Sequence, residues 1–223
     1  MIEIIRVSDA TGGNSKAHDI LKELVDNETL LALSGGTSVD YRKMIVEGAD
    51  ILPGCVCLVD ERFGEPYHKD SNELILKNAG VFSYLDREGI EYQRILDDGD
   101  LEQTASQYND LISELFERFE KRVGVMGVGA NLHTAGIFPH SEAAASANYV
   151  VAETVVDKIP KRISLTLKAL GEFQTFVILV FGEEKRHALR KLLDENENDM
   201  QKYPAIFYRK GFAKSYLITD QDL

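Results

Sequence analysis

The chain has 223 residues, a length that suits one α/β domain and buries roughly 70% of the unfolded surface without disulfide or metal staples. Hydrophobic residues at 44% and charged residues at 28% exclude a disordered chain. Lys+Arg 25 against Asp+Glu 37 leaves a net charge of −12, which disfavours nucleic acid and anionic membrane surfaces as partners without excluding a local positive cluster.

The N-terminal stretch MIEIIRVSDA carries an early acid and no long apolar core, so no secretory signal is expected. No stretch approaches the ~20 apolar residues of a membrane span, and a cytoplasmic location is expected. Ala17, Ile20, Leu21, Leu24 and Val25 recur at helical spacing. Residues 30–34 (LLALS) then read as a buried strand ending in Gly35-Gly36-Thr37-Ser38, and a helix is expected beyond. Glycines let backbone N–H groups approach a ligand, and a helix start adds free N–H groups, which suits a phosphate. An ordinary tight turn uses the same residue types.

Residues 55–60 (CVCLVD) read as a second strand. Cys55 and Cys57 would share a face about 7 Å apart, too far for an unstrained disulfide, so both are expected as small core residues. Asp60, Glu61 and Arg62 follow at the strand's carboxyl end, where charges make ion pairs or touch a ligand. Ser71-Asn72 opens a helix, as a cap or a ligand contact. A long amphipathic helix is expected over 101–121, and a third strand over 122–127.

The segment VGVMGVGANLHTAGIFPH, 123–140, offers G-x-G-x-x-G only superficially, because its last position is Leu132. His133 stands just past this turn, exposed to any crevice there, and can act as a general base or be a structural residue. Arg162 is expected just before a Ser-x-Thr helix start. Residues 175–181 (TFVILVF) are apolar on both faces, as in the middle of a covered parallel sheet. A helix over 183–195 carries Lys185 in its first turn, a position that the helix dipole favours only if an anion sits nearby. SYLITDQ reads as a last strand.

The alternation gives an α/β fold: a doubly wound, mostly parallel sheet flanked by helices, in one domain over 1–223. No G-x-S-x-G, H-E-x-x-H, C-x-x-C or G-x-x-x-x-G-K-[ST] occurs, so no triad elbow, metal site or P-loop is expected.

In order along the chain, LALSGGTS, VDERFGEPYHKDSN, GVGANLHTAGIFP, KRISLTLKAL and FGEEKRHAL resemble the landmarks of the 6-phosphogluconolactonase family, within the wider group that includes glucosamine-6-phosphate deaminase/isomerase. The resemblance implies hydrolysis of 6-phosphogluconolactone to 6-phosphogluconate in the pentose phosphate pathway, without cofactor or metal. It implies a small phosphorylated sugar lactone as partner and a monomer or small homo-oligomer. By position, His133 would be the base that activates water. Asn131 and Asp60 join it in the catalytic set. Gly35, Gly36, Thr37, Ser38, Glu61, Arg62, Asn72, Arg162 and Lys185 form the substrate-binding set.

The chain departs from the family's G-x-D-G-H-T-A-S block at Asn131 and Leu132, and Val39 stands where the first loop usually has proline. Asn131 is expected to hold the His133 ring without stabilising imidazolium by charge, lowering the rate by about one to two decades. Leu132 is expected to add bulk where the backbone approaches substrate. A sugar-phosphate isomerase or deaminase using Asp60, and a non-catalytic sugar-phosphate binding protein, are the alternatives.

Overall fold

The computed structural model describes residues 1–222. In chain order its elements are β1 (Ile2–Arg6), α1 (Ala10–Leu24), β2 (Thr29–Leu33), β3 (Cys55–Leu58), β4 (Asp60–Arg62), α2 (Asn72–Ala79), α3 (Val81–Glu88), β5 (Glu91–Gln93), α4 (Leu101–Arg118), β6 (Lys121–Gly127), β7 (Val150–Thr154), β8 (Lys161–Leu165), α5 (Leu167–Leu170), β9 (Thr175–Val180), α6 (Arg186–Leu193), α7 (Phe207–Lys210) and β10 (Lys214–Thr219). Helix α1 starts earlier than its apolar spacing suggests, because the Asp9 carboxylate caps it by accepting from the Gly12 N–H at 2.8 Å. Helix α4 ends at Arg118, where Phe119 turns to extended backbone.

Seven strands form a wholly parallel sheet in the order β1-β10-β9-β6-β2-β3-β5. The expected doubly wound α/β architecture is thus present. Every residue of β2 and β3 is buried, as strands covered on both faces must be. From β2 the chain proceeds outward through β3 and β5, and from β6 in the other direction through β9 and β10. The order therefore reverses between the neighbours β2 and β6, and beyond their carboxyl ends the following loops part to leave a crevice.

A second sheet, antiparallel and in the order β4-β8-β7, was not expected. The run 55–60 is divided between the two sheets at Val59. Its N–H donates to the Leu33 carbonyl at 2.9 Å, and its carbonyl accepts from the Leu165 N–H at 2.9 Å. Arg162 accordingly lies inside strand β8 rather than before a helix start. The expected helix over 183–195 is a 3-10 turn at Glu183–Lys185 followed by α6. The helix expected after the first glycine loop is a single π-helical turn at Arg42–Val46. No helix among the described residues is long and apolar enough to cross a membrane.

Cys55 and Cys57 are free, and neither has any exposed surface. Burial pushes the Cys55 thiol up to about 12 and raises Cys57 as well. Both thiols should therefore resist an aromatic disulfide reagent in the native protein and react together at the rate of global unfolding. Labelling of either thiol within seconds at pH 8, followed by absorbance, would contradict their placement.

Candidate active site

The loops that follow β2 and β6, together with β4, β8 and the turn before α6, enclose a cavity of about 240 Å³ at the switch point. That volume lies below the ~300–1,000 Å³ of pockets for drug-sized ligands and suits a small metabolite. Ser34, Gly35, Gly36, Thr37 and Ser38 form one wall, and Gly129, His133 and Ala135 another. Asp60, Arg62, Asp157, Arg162 and Lys185 supply the charge.

Strand alternation decides which acidic residue faces the cavity. Along β4, Asp60 and Arg62 share one face and Glu61 takes the other. The Glu61 carboxylate accepts from the N–H groups of Arg62, Asn72 and Glu73 at 2.7, 2.7 and 2.8 Å, and from Ser71 Oγ at 2.9 Å. Glu61 is therefore an anchor for the start of α2, not a ligand contact. Asn72 also stands behind the site. Its Nδ2 donates to the Asp60 carbonyl at 2.8 Å, and a Cβ on Gly35 would meet its Oδ1 at 1.8 Å. Only glycine at 35 allows the first loop to lie against Asn72.

Arg62 and Arg162 are direct partners across the antiparallel β4–β8 pair. Like charges placed opposite each other oppose pairing. In each arginine the buried Nε has no partner among the described residues. Arg62 Nη1 donates to the Asp70 carbonyl at 2.8 Å. Arg162 is 5% exposed, with Nη1 at 3.7 Å from Asp60 Oδ2 and Nη2 at 2.5 Å from Asp157 Oδ2. Burial pushes the Asp60 pKa up, and Arg62 and Arg162 partly offset that rise. Lys185 reaches the same cavity from the turn before α6.

His133 is half-buried, its ring stacked on Phe138 with centroids 4.5 Å apart. A Cβ on Gly129 would stand 2.1 Å from its Cε1, so the ring lies flush against the backbone of residue 129. Its Nδ1–H donates to Asn131 Oδ1 at 2.6 Å, which leaves the Nε2 lone pair free. Asn131 itself is exposed and outside the cavity wall. Burial, then the nearby Arg162 and Lys185, push the His133 pKa down to about 4, so the imidazole is neutral at pH 7.

The structure thus brings together Gly35, Gly36, Thr37, Ser38, Asp60, Arg62, His133, Arg162 and Lys185, and leaves Glu61, Asn72 and Asn131 to position them. Sequence reasoning missed Asp157, a lone acid in the β7–β8 turn with no motif around it. It also missed the lining residues Ser34, Val39, Gly127, Val128, Gly129 and Ala135.

A family described as glucosamine-6-phosphate isomerases/6-phosphogluconolactonase matches residues 14–216. The chain belongs to this family. A 6-phosphogluconolactonase of Nostoc sp. is 29% identical over 157 residues, covering 66% of this chain and 63% of that protein, so the match spans less than two thirds of the relative. A glucosamine-6-phosphate deaminase of Enterococcus faecalis is 21% identical over 211 residues, covering 86% of this chain and 87% of that one. The structure of 6-phosphogluconolactonase from Plasmodium vivax shares the fold, with a TM-score of 0.81 at 19% identity over 98% of this chain and 90% of that one.

Leu132, one of this family member's departures, does not crowd the cavity. The side chain is 2% exposed and packs in the core, outside the cavity wall. The demand at this position is conformational, since Leu132 has φ of 62°, in the left-handed region that glycine adopts without strain. Packing holds it there, and the Leu132 carbonyl accepts from the Ala205 N–H at 3.0 Å.

Leu132→Gly would relieve about 1–2 kcal/mol of backbone strain. It would lose about 2–5 kcal/mol of core burial. The expected net loss of about 1–3 kcal/mol would be read from urea unfolding. In a proton NMR titration of the free protein, His133 should titrate near pH 4. Saturating inorganic phosphate should move it upward, because an anion among Arg162 and Lys185 removes part of what depresses it. Titration near 6.5 in the free protein would contradict the burial and charge described here.

Proposed function

We propose that the protein hydrolyses 6-phosphogluconolactone to 6-phosphogluconate. The observation that carries this reading is the pair Arg62 and Arg162, opposed across two strands beside Lys185 and a neutral His133. Cations set against each other across two strands, Arg162 buried and Arg62 half-buried, favour an anion between them. A sugar phosphate supplies two negative charges and a handle that orients the rest of the molecule. The lactonase names among the family's relatives support the same substrate.

The chemistry follows from the residue types. A δ-lactone is an activated ester and needs no nucleophilic side chain. His133 Nε2 takes a proton from water as the water oxygen bonds to C1. Negative charge develops on the carbonyl oxygen, and the cavity's cations and N–H groups oppose it. The intermediate collapses by breaking the bond between C1 and the ring oxygen, and the imidazolium returns its proton to that leaving oxygen. The product is an open-chain hydroxy acid. Asn131 keeps Nδ1 protonated throughout, so Nε2 is always the basic nitrogen.

A second reading draws on Asp60. Its buried carboxyl with a raised pKa, inside the cavity, suits proton transfer between adjacent carbons in an isomerase or deaminase. Release of ammonia from glucosamine 6-phosphate would favour that reading.

The decisive variant is His133→Ala. Turnover of the lactone, measured above its spontaneous hydrolysis, should fall by about 10²–10⁴-fold. Binding of 6-phosphogluconate, measured by calorimetry, should stay within a few-fold. An unchanged rate would remove His133 from the mechanism.

A further inference from the structure

The hydrolytic scheme leaves both carboxylates of the cavity, Asp60 and Asp157, unused, and they differ in how they are held. Asp157 lies in the turn between β7 and β8, next to Val156, whose side chain is wholly exposed. Its Oδ2 sits 2.5 Å from Arg162 Nη2, on a guanidinium that a ligand anion would also seek. The two carboxylates on Arg162 differ in freedom. Asp60 is fixed in strand β4, with a side chain 6% exposed. Asp157 is at a turn, with a side chain 40% exposed, and can leave Arg162 for water.

Charge counting gives this carboxylate a purpose. Arg62, Arg162 and Lys185 contribute three positive charges, Asp60 and Asp157 two negative ones, and His133 none at pH 7. The cavity therefore carries a net charge of +1, and would carry +2 without Asp157. Hydrolysis raises the ligand's charge, because a neutral lactone carbonyl becomes a carboxylate while the phosphate keeps its own two charges. Any negative group lining the same small space opposes the product more than the substrate.

We propose that Asp157 is a product-discriminating residue. Its carboxylate competes with the ligand for Arg162 and repels the extra charge that the reaction creates, so the product leaves while the lactone is retained. The inference rests on the lactonase reading of the cavity.

The test compares 6-phosphogluconate with glucose 6-phosphate, a ring-closed sugar phosphate that lacks the carboxylate, by calorimetry at pH 8. Asp157→Asn should tighten 6-phosphogluconate by about tenfold, the effect of removing one unit charge at close range in a partly hydrated cavity, and glucose 6-phosphate by less. Asp157→Glu, which keeps the charge, should preserve the wild-type ratio. In turnover, Asp157→Asn should show stronger inhibition by accumulated product. If Asp157→Asn leaves the ratio of the two affinities unchanged or moves it the other way, the proposal is overturned. Arg162→Ala separates the two levels of inference. Loss of both ligands in that variant with an unchanged ratio in Asp157→Asn sinks only the role of Asp157, whereas undiminished binding of both ligands by Arg162→Ala sinks the anion site itself.

Discussion

The geometry of the cavity depends on a carboxylate that does not line it. Glu61 has no exposed surface, and its two oxygens gather four donors, two of them N–H groups from the first turn of α2. Burial alone pushes its pKa up, and the donors favour the ionised form. A charge so placed costs a great deal unless every lone pair is used, and here each oxygen accepts twice. The helix start and strand β4 are thereby tied to one point. Because side chains alternate along a strand, fixing Glu61 inward aims Asp60 and Arg62 outward into the cavity. Glu61, expected in the substrate-binding set, is instead the carboxylate that positions its neighbours.

The same strand shows how function is built at the expense of pairing. Arg62 opposite Arg162 is a poor choice for a β-ladder, and Asp60 and Asp157 only partly neutralise it. Both arginines retain an unsatisfied Nε. An anion between the two arginines would relieve the repulsion that this pairing carries. His133 completes the arrangement. Two neighbouring cations and burial keep it neutral, the state in which it can accept a proton.

Much of this was legible in the chain. Runs such as TLLAL and TFVILV are apolar on both faces, and only a covered parallel sheet accepts them. The charged and glycine-rich landmarks sit where strands end, so their convergence follows from the doubly wound order. The β4-β8-β7 sheet was not legible, because KRISL mixes charge with apolar residues, β4 is only three residues long, and the β4–β8 pairing spans about a hundred residues. Nor could spacing assign Glu61 to the inner face, since that depends on where the chain leaves the first sheet at Val59. Asp157 carries no local pattern, and its importance comes only from the arginine it meets. Leu132 looked like bulk near the ligand because a sequence records the size of a side chain but not the sign of φ.

The left-handed leucine has a wider meaning for how the two walls of the cavity differ. Backbone at 129–134 is held in place by the core beneath it, by Ala205 at the Leu132 carbonyl, and by Tyr208 at the Thr134 hydroxyl. Such a segment cannot open alone, because releasing it would expose buried leucine and break contacts to the C-terminal layer, so it belongs to the same cooperative unit as the sheet. The edge carrying Asp157 is a turn held by its own backbone, with the Val155 N–H donating to the Pro160 carbonyl at 2.9 Å and the Asp157 N–H to the Val155 carbonyl at 3.0 Å. The cavity thus combines a fixed anvil bearing His133 with a yielding edge bearing the charge of Asp157. Adaptation to a new ligand would be accommodated at the yielding edge, leaving the proton-accepting nitrogen where it is.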